Sequence, residues 1–375
     1  IKVTEDIAHA RHAKPGVDLI SPPPLHDIYS IEDLKQMIYE LKQAHPTAKV
    51  NVKLVSSAHI GTVAVGVAKA GADVIHVSGN DGGTGAAVLS SMKHAGLPFE
   101  FGLLEVHHAL LANGLRSQVA LRTDGGIHTA EDIIKAAIWG ADGFDFGRLL
   151  LVAEGCVMAR ICEKNTCPTG IATQDPRFKK KYKGAPEHVI TVLRFLAREV
   201  RQHLSRMGVA TLAELRGRRD LLQVAPSMEH IIDSCRLDLR ALMGEPLPEV
   251  GPSKPSAVTT GELNARILED AQEALAENKY FQGAYDITNE DRAVLATLSG
   301  AIAQVEHAHH LYALNKGPKP ETPEQTQPME LSFNGSAGQG FAAYMVAPLQ
   351  VTLIGEGNDS LGKSMSGGQL TVLPP

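Results

Sequence analysis

The sequence has few cysteines, few aromatic residues and no long apolar run. Four cysteines in 375 residues are too few for a secreted disulfide scaffold. No stretch approaches the ~20 consecutive apolar residues of a membrane-spanning helix, so the composition excludes a membrane protein. The 36 Lys and Arg residues are outnumbered by 42 Asp and Glu residues. The resulting net charge of −6 argues against a nucleic-acid-binding protein with a basic surface.

The remaining composition is typical of a globular enzyme. Apolar residues make up 43% of the chain and charged residues 21%, a balance that can bury a sizeable core. The length leaves room for roughly two domains of about 100–200 residues each. The 35 glycines suit an α/β enzyme with many turns lined by backbone.

The first 150 residues alternate short apolar runs with amphipathic segments. They predict strands at 49–55, 73–78, 119–123 and 143–146, and helices at 30–43, 61–70, 105–113 and 129–139. Strand–loop–helix units at this spacing predict a parallel sheet. The predicted strands amount to half of a closed eight-stranded β/α barrel, and an open doubly wound sheet is the alternative.

The second half of the chain has a different character. It predicts helices at 186–207, 260–276 and 288–309, with proline-rich connectors at 244–256 and 318–328. From Met329 onward, short β runs alternate with glycine, as in NGSAGQGF and GNDSLGKSMSGGQL. This pattern is typical of a β-solenoid, because stacked coils need tight corners.

Glycine-rich loops after the predicted strands indicate a phosphate or cofactor site. Arg122-Thr-Asp-Gly-Gly-Ile127 leads from a strand into a helix, and Gly147 closes the next strand. Glycine at these positions lets backbone N–H groups approach a phosphate without a Cβ in the way. Ordinary tight turns are the alternative. The loop Asn80-Asp-Gly-Gly-Thr-Gly85 either cradles a ligand at the same edge or turns the chain.

Lys53 lies in the middle of the apolar run KVNVKLV. A charge there is costly unless it faces a functional cavity or pairs with another group. Two interpretations stay open. Beside a flavin ring the lysine would stabilise the anionic reduced form, and otherwise it forms a salt bridge at the end of the strand.

Three of the four cysteines are clustered, with the spacing Cys156-x5-Cys162-x4-Cys167-Pro168. This is not the spacing of a zinc site. Thiolates in a short loop that ends in Cys-Pro are typical of iron–sulfur ligation, either of a three-iron cluster or of a four-iron cluster with a distant fourth ligand. Structural thiols are the alternative. Cys235 stands apart and is predicted to be a buried structural thiol.

Several long motifs resemble the large chain of the glutamate synthase family. They are LISPPPLHDIYSIEDL, VKLVSSAHIGTVAVGVAKAGADVIHVSGNDGGTGAAVLSSMKHAG, RTDGGIHTAEDIIKAAIWGADGF and GCVMARICEKNTCPTGIATQDP, together with the glycine-rich tail. The resemblance covers residues 1–222 and 286–375. It implies an α/β chain whose residues 1–222 are the second half of an FMN-binding (β/α)8 barrel of the TIM type, with an iron–sulfur loop at 156–167. A connecting segment at 223–285 and the start of a right-handed glycine-rich β-helix at 286–375 would follow. The sequence would then be a window of a longer chain.

The resemblance also implies site residues. Lys53 would be the catalytic lysine beside the flavin and 2-oxoglutarate, and Cys156, Cys162 and Cys167 would bind a 3Fe–4S cluster. His59 stands where the family pattern leads us to expect glycine. The residues implied in FMN binding are Lys53, Gly82, Gly83, Thr84, Asp124, Gly125, Gly126, Gly147 and Arg148.

The activity implied by the resemblance is that of glutamate synthase, an oxidoreductase. Ammonia from glutamine would add to 2-oxoglutarate, and reduced FMN would transfer hydride to the resulting 2-iminoglutarate. The cluster would relay electrons from a small NAD(P)H-oxidising subunit or from ferredoxin. We expect an oligomer in the cytoplasm, or in the plastid stroma of a plant or alga. Another FMN-dependent barrel oxidoreductase and an inactive structural fragment are the alternatives.

Overall fold

The chain divides into two compact units, each with its own parallel β-sheet. The computed structural model describes residues 3–11, 13–17, 28–81, 89–236, 238–254, 259–316 and 327–375. Unit 1 contains Ile1–Ile31 and Asn51–Ser256, and unit 2 contains Glu32–Val50 and Ala257–Pro375. The fold class is therefore mixed α/β.

The sheet of unit 1 is formed by strands that are separated by helices. Its strands are β1 (Asn51–Val55), β2 (Val74–Ser78), β3 (Ala120–Asp124) and β4 (Gly143–Phe144). They are parallel and pair in the order β1–β2–β3–β4. This confirms the strands and the parallel sheet predicted from the sequence, although β4 is shorter than predicted.

The helices agree with the predicted segments to different degrees. Helix α9 has the predicted bounds, whereas α5 begins earlier than predicted. In chain order the helices are α1 (Glu5–Ala10), α2 (Ile31–Ala44), α3 (Ile60–Lys69), α4 (Leu89–His94), α5 (Phe99–Ala112), α6 (Ala130–Ile138), α7 (Arg148–Ala153), α8 (Pro176–Lys179), α9 (Pro186–Met207), α10 (Glu229–Cys235), α11 (Glu262–Glu277) and α12 (Ala296–Lys316). Short 3-10 turns lie at Arg116–Gln118, Cys162–Lys164, Leu212–Leu215, Arg219–Leu221 and Pro226–Met228.

Local sequence signals explain where several helices begin and end. The Thr129 hydroxyl accepts a hydrogen bond from the Asp132 backbone N–H at 3.2 Å, and the Asp132 carboxylate accepts one from the Thr129 N–H at 3.0 Å. This reciprocal pair is a capping box. Helix α9 begins at Pro186 and is followed by Gly208, whose φ of 70° ends the helix.

One face of the sheet in unit 1 packs against helices. Ile75, Val77 and Leu121 are fully buried on this face, and burial stabilises each such side chain by about 1.5–3 kcal/mol. Helices α3 and α5 approach closely at Gly61, where a Cβ would lie 2.9 Å from the Cβ of Ala109. Because side chains alternate along a strand, the opposite face carries the residues between these apolar positions.

Unit 2 contains a second parallel sheet. Its strands are β5 (Phe281–Ile287), β6 (Met329–Ala337), β7 (Leu349–Gly357) and β8 (Gln369–Leu373), paired in that order. Alternate side chains, such as Leu331 and Phe333, are buried in the core of the unit. Gly335 and Gly355 are register partners, and a Cβ on Gly355 would collide with the carbonyl oxygen of Gly335. This close approach of the two backbones explains why glycine stands at these two positions.

Three expectations need correction. Strand β5 lies in a stretch for which the sequence predicted no strand. Helix α12 begins at Ala296 rather than at position 288, because Thr288 donates two hydrogen bonds to the Asp291 carboxylate and the chain turns before the helix. Cys235 is exposed rather than buried, since it ends a short helix without any buried residue.

The described residues include no helix that is long and apolar enough to cross a membrane.

Candidate functional site

Five polar side chains lie together on the sheet face of unit 1 that is opposite the apolar core. Lys53, His76 and Arg122 are register partners on β1, β2 and β3. Register partners in a parallel sheet stand side by side on one face, and residues two apart on a strand share that face. Asp124 therefore joins Arg122, and Asp145 follows the end of β4. We call these five residues the polar row.

Lys53 and Asp124 form an ion pair within the polar row. The Lys53 Nζ donates a hydrogen bond to Asp124 Oδ2 at 2.6 Å. The Lys53 side chain is nevertheless 54% exposed. The lysine therefore forms a salt bridge, as one of the two interpretations of the sequence predicted. It also remains accessible to a ligand.

The Asp124 carboxyl is held in its charged form. Burial by itself would raise its pKa, but contacts from His76, Lys53 and Ser78 outweigh burial and hold the pKa well below its ordinary value. Asp124 therefore keeps a negative charge next to the Lys53 ammonium at any pH near neutrality.

His76 lies between two carboxylates. Its Nε2 is 3.4 Å from Asp124 Oδ1, and its Nδ1 is 3.3 Å from Asp145 Oδ2. Arg122 pairs with the other oxygen of Asp145. Lys53 and Arg122 thus pair with the two carboxylates of the row, and His76 lies between these carboxylates.

Sequence reasoning identified Lys53 and Asp124 as site residues but missed His76 and Asp145. The available signal was a histidine in the middle of the apolar run DVIHVS, where a polar ring needs a partner. Its partners lie 48 or more positions further along the chain, and only the register of β2 and β3 brings them together.

The glycine loop after β3 contacts the loop after β2. Gly125 and Gly126 have φ angles of 82° and 146°, which favour glycine. The Gly79 backbone N–H donates to the carbonyl of Asp124 at 2.9 Å, and a Cβ on Gly125 would lie 2.7 Å from the nitrogen of Gly79. Glycine at 125 is therefore required by the approach of two backbones at this edge of the sheet.

Gly147 and Arg148 lie where β4 leads into α7. A Cβ on Gly147 would have no heavy atom within 4 Å, so the backbone there borders open space. The Arg148 guanidinium pairs with the Asp81 carboxylate, which comes from the loop after β2. The remaining predicted residues of that loop, Gly82, Gly83 and Thr84, lie outside the described residues.

The three clustered cysteines lie in the segment after α7. Cys156 and Cys162 are half-buried and Cys167 is buried. Asn165 orders the loop between them, because its Oδ1 accepts hydrogen bonds from the Gln174 backbone N–H at 2.7 Å and from the Thr173 hydroxyl at 3.1 Å. Nowhere in the described part of the chain do three or more His, Cys, Asp or Glu side chains form a group that could hold a metal ion.

Cys167 is nonetheless suited to the thiolate form. Burial raises the pKa of its thiol, but a hydrogen bond from the Thr169 side chain and others from backbone N–H groups outweigh burial and lower the pKa to about 7. The backbone donors belong to Ala172, Thr169 and Ile171. Thiolate is the form that binds metal ions.

Two family models match the sequence, and they decide the family. Residues 1–210 match the model described as "Conserved region in glutamate synthase", and residues 264–375 match the model described as "GXGXG motif". The chain belongs to the glutamate synthase family. The first match contains the polar row and the clustered cysteines, and the second covers most of unit 2.

Individual members of the glutamate synthase family are similar over this whole chain. Ferredoxin-dependent glutamate synthase 2 of Synechocystis sp. is 43% identical over 387 residues, which cover 100% of this chain and 23% of that protein. The NADPH-type glutamate synthase large chain of Azospirillum brasilense is 45% identical over 382 residues, covering 100% of this chain and 24% of that protein. This chain therefore spans about a quarter of the length of these relatives.

Among solved structures, a flavocytochrome b2 variant with sulfite bound aligns with 66% of this chain and 51% of its own. The TM-score is 0.33 and the sequence identity 16%, a likeness too low to support any statement about the fold or the site.

His59, where the resemblance led us to expect glycine, has an unusual backbone conformation. It immediately precedes α3 and adopts φ = 66°, in the left-handed region. Residues with a Cβ rarely adopt this conformation, which glycine adopts at little cost. The structure thus explains why glycine suits this position.

Proposed function

We propose that the protein is a glutamate synthase, which transfers ammonia from glutamine to 2-oxoglutarate and forms L-glutamate. The observation that carries this proposal is the polar row. It places an accessible lysine and its carboxylate partner on an exposed sheet face, in a chain whose first 210 residues match the family.

We propose a domain arrangement to go with this activity. Residues 1–222 would be the second half of an FMN-binding (β/α)8 barrel, because β1 to β4 are parallel and pair in sequence order as in such a barrel. Residues 223–285 would connect it to the start of a β-helix at 286–375. Strands stacked in register, with glycine next to glycine on β6 and β7, support the second assignment.

The residues at the edge of unit 1 are chemically suited to hold FMN. The exposed Lys53 ammonium offers positive charge, and the open space at Gly147 lets a ligand approach the backbone. The Asp145 carboxylate, which would repel a phosphate, is already paired with Arg122. Lys53, Asp124, Gly125, Gly126, Gly147 and Arg148 would hold the cofactor, together with Gly82, Gly83 and Thr84.

In the proposed reaction, Lys53 provides fixed positive charge. Asp124 keeps its carboxylate form and thereby keeps the ammonium in place. Preorganised charge of this kind stabilises negative charge that develops during a reaction, and here it would also orient the carboxylates of 2-oxoglutarate. FMN held by these residues would, in its reduced form, supply the hydride needed to convert 2-iminoglutarate to glutamate.

The clustered cysteines are suited in donor type to an iron–sulfur cluster. Cys167 is stabilised as a thiolate, and Cys156 and Cys162 lie within eleven positions before it. These three would hold a 3Fe–4S cluster, which would relay electrons one at a time from ferredoxin or from a small NAD(P)H-oxidising subunit. We place the enzyme, as an oligomer, in the cytoplasm or the plastid stroma.

Cofactor analysis of the full-length protein, purified without oxygen, tests this proposal. We expect bound FMN, and iron and sulfide in amounts that match one cluster. Cys162→Ser should lower the iron content while FMN is retained, and Cys235→Ser, at the exposed cysteine, should leave both unchanged. Absence of FMN and iron from the wild-type protein would overturn the proposal.

A further inference from the structure

His76 is a buried histidine to which neither the sequence nor the proposed function assigns a role. It is more than nine-tenths buried in the middle of β2. Its Nε2 and the facing Oδ1 of Asp124 are both buried, and neither has a hydrogen-bond partner among the described residues. The two atoms are 3.4 Å apart.

The groups that contact the His76 ring determine whether its neutral or its doubly protonated form makes favourable hydrogen bonds. A neutral imidazole has one donor nitrogen and one acceptor nitrogen, whereas an ionised carboxylate can only accept. Both ring nitrogens of His76 face carboxylate oxygens, at 3.3 and 3.4 Å. A neutral ring would therefore direct one lone pair at a negative oxygen, while a doubly protonated ring can donate to both.

His107 shows the opposite arrangement in the same unit. This ring is fully buried, and its Nδ1 accepts a hydrogen bond from the Arg116 Nε at 3.0 Å. A ring that accepts from a guanidinium must be neutral at that nitrogen. Burial alone therefore does not determine whether a histidine in this unit is charged. The groups that contact its ring determine it.

We propose that His76 is a positioning residue that carries a proton on both ring nitrogens. The charged ring holds the carboxylates of Asp124 and Asp145 in place. Its charge also limits how strongly Asp124 attracts the Lys53 ammonium. The charged neighbours of His76 in the polar row are its register partners Lys53 on β1 and Arg122 on β3, and the carboxylates of Asp124 and Asp145. With a charged His76 the polar row has three positive and two negative members. A net positive row favours an anionic ligand beside Lys53.

This inference rests on the proposed function, because the proposed cofactor and substrate are the anions that the row would hold. It can still be tested without either of them. The accessible Lys53 amine can be acylated with an N-hydroxysuccinimide ester, and the rate can be followed by mass spectrometry of its peptide. Failure to bind FMN would then count against the proposed function alone.

The test compares the full-length wild-type protein with His76→Gln and with His128→Gln, an exposed histidine on the same unit. Glutamine is neutral, so the substitution removes a positive charge next to Asp124 and strengthens the hold of Asp124 on the Lys53 ammonium. We expect acylation of Lys53 near pH 6.5 to slow about fivefold in His76→Gln, from the interaction of unit charges at this separation. His128→Gln should match the wild type. An unchanged or faster rate in His76→Gln would overturn the proposal.

A second variant covers the case in which His76→Gln fails to fold. His76→Asn also replaces the ring by a neutral amide, on a shorter side chain. We expect acylation of Lys53 near pH 6.5 to slow by a similar factor in His76→Asn, and an unchanged or faster rate would contradict the proposal.

Discussion

The Lys53 ammonium on β1 and the Asp124 carboxylate at the end of β3 form a 2.6 Å ion pair that reaches across the intervening strand β2. Such a pair depends on the register of three strands. It couples the stability of the sheet in unit 1 to the charge of the candidate site.

Replacing Asp124 by Asn should therefore destabilise unit 1 in a pH-dependent way. Because the pKa of Asp124 is lowered in the folded protein, its contribution is present above the unfolded value near 3.8 and is lost as the pH falls through the folded value. We expect Asp124→Asn to lower the free energy of unfolding by about 1–2 kcal/mol at pH 7. Urea titrations should show this difference shrinking below pH 4, and a difference independent of pH would contradict the assignment.

His107 should give the protein a second, separate pH dependence. Burial, followed by the charge of Arg116, lowers the pKa of His107 to about 3. The unfolded chain therefore binds a proton below about pH 6.5 that the folded chain does not, and stability falls as the pH drops from about 6.5 toward 3. This contribution has a slope of up to about 1.4 kcal/mol per pH unit.

The substitution His107→Gln tests that slope. Glutamine keeps an acceptor for Arg116 but cannot be protonated, so the variant should lose the His107 part of the pH dependence between pH 6 and 4. The exposed His128→Gln is the control and should keep the wild-type slope. Equal slopes in all three proteins would show that His107 is protonated alike in the folded and unfolded states.

His59→Gly should stabilise the protein. The residue adopts φ = 66° and its side chain caps nothing at the start of α3. Removing the Cβ relieves backbone strain of about 1 kcal/mol. The greater conformational entropy of glycine in the unfolded chain offsets part of this gain. We expect a rise in Tm. Asn165→Gly is the matched contrast: Asn165 has φ = 57°, but its side chain accepts a hydrogen bond from Gln174, so the variant should gain nothing.

Gly355→Ala should strongly destabilise unit 2. Its Cβ would collide with the carbonyl oxygen of Gly335, and the φ of 143° at Gly355 is itself unfavourable for alanine. We expect a loss of about 3 kcal/mol or more. Gly251→Ala is the control, since a Cβ there meets no heavy atom within 4 Å. Similar melting curves for the two variants would contradict the close stacking of β6 and β7.

The sequence predicts best those features that depend on neighbouring residues. The start of α6 lies within one residue of its predicted position, and both ends of α9 are as predicted, because local residue types determine them. The alternation of strands and helices before Gly143 likewise follows from periodicity along the chain.

Features that depend on distant partners could not be predicted in this way. His76 and Asp145 meet only because β2, β3 and β4 lie in one particular register. Strand β5 is recognisable only next to β6, with which it pairs along its whole length. A phosphate or a tight turn would each explain glycine at 125, and the structure adds a third reason in the close approach of the Gly79 backbone.

Glutamate formation by the full-length protein, supplied with glutamine, 2-oxoglutarate and a chemically reduced electron donor, tests the central claim most directly. We predict that the wild-type protein forms glutamate, and that Lys53→Met lowers kcat at least about 100-fold because preorganised charge is lost. Lys69→Met, at an exposed lysine on α3, should leave kcat unchanged. No glutamate from the wild-type protein, or full activity in Lys53→Met, would contradict the account.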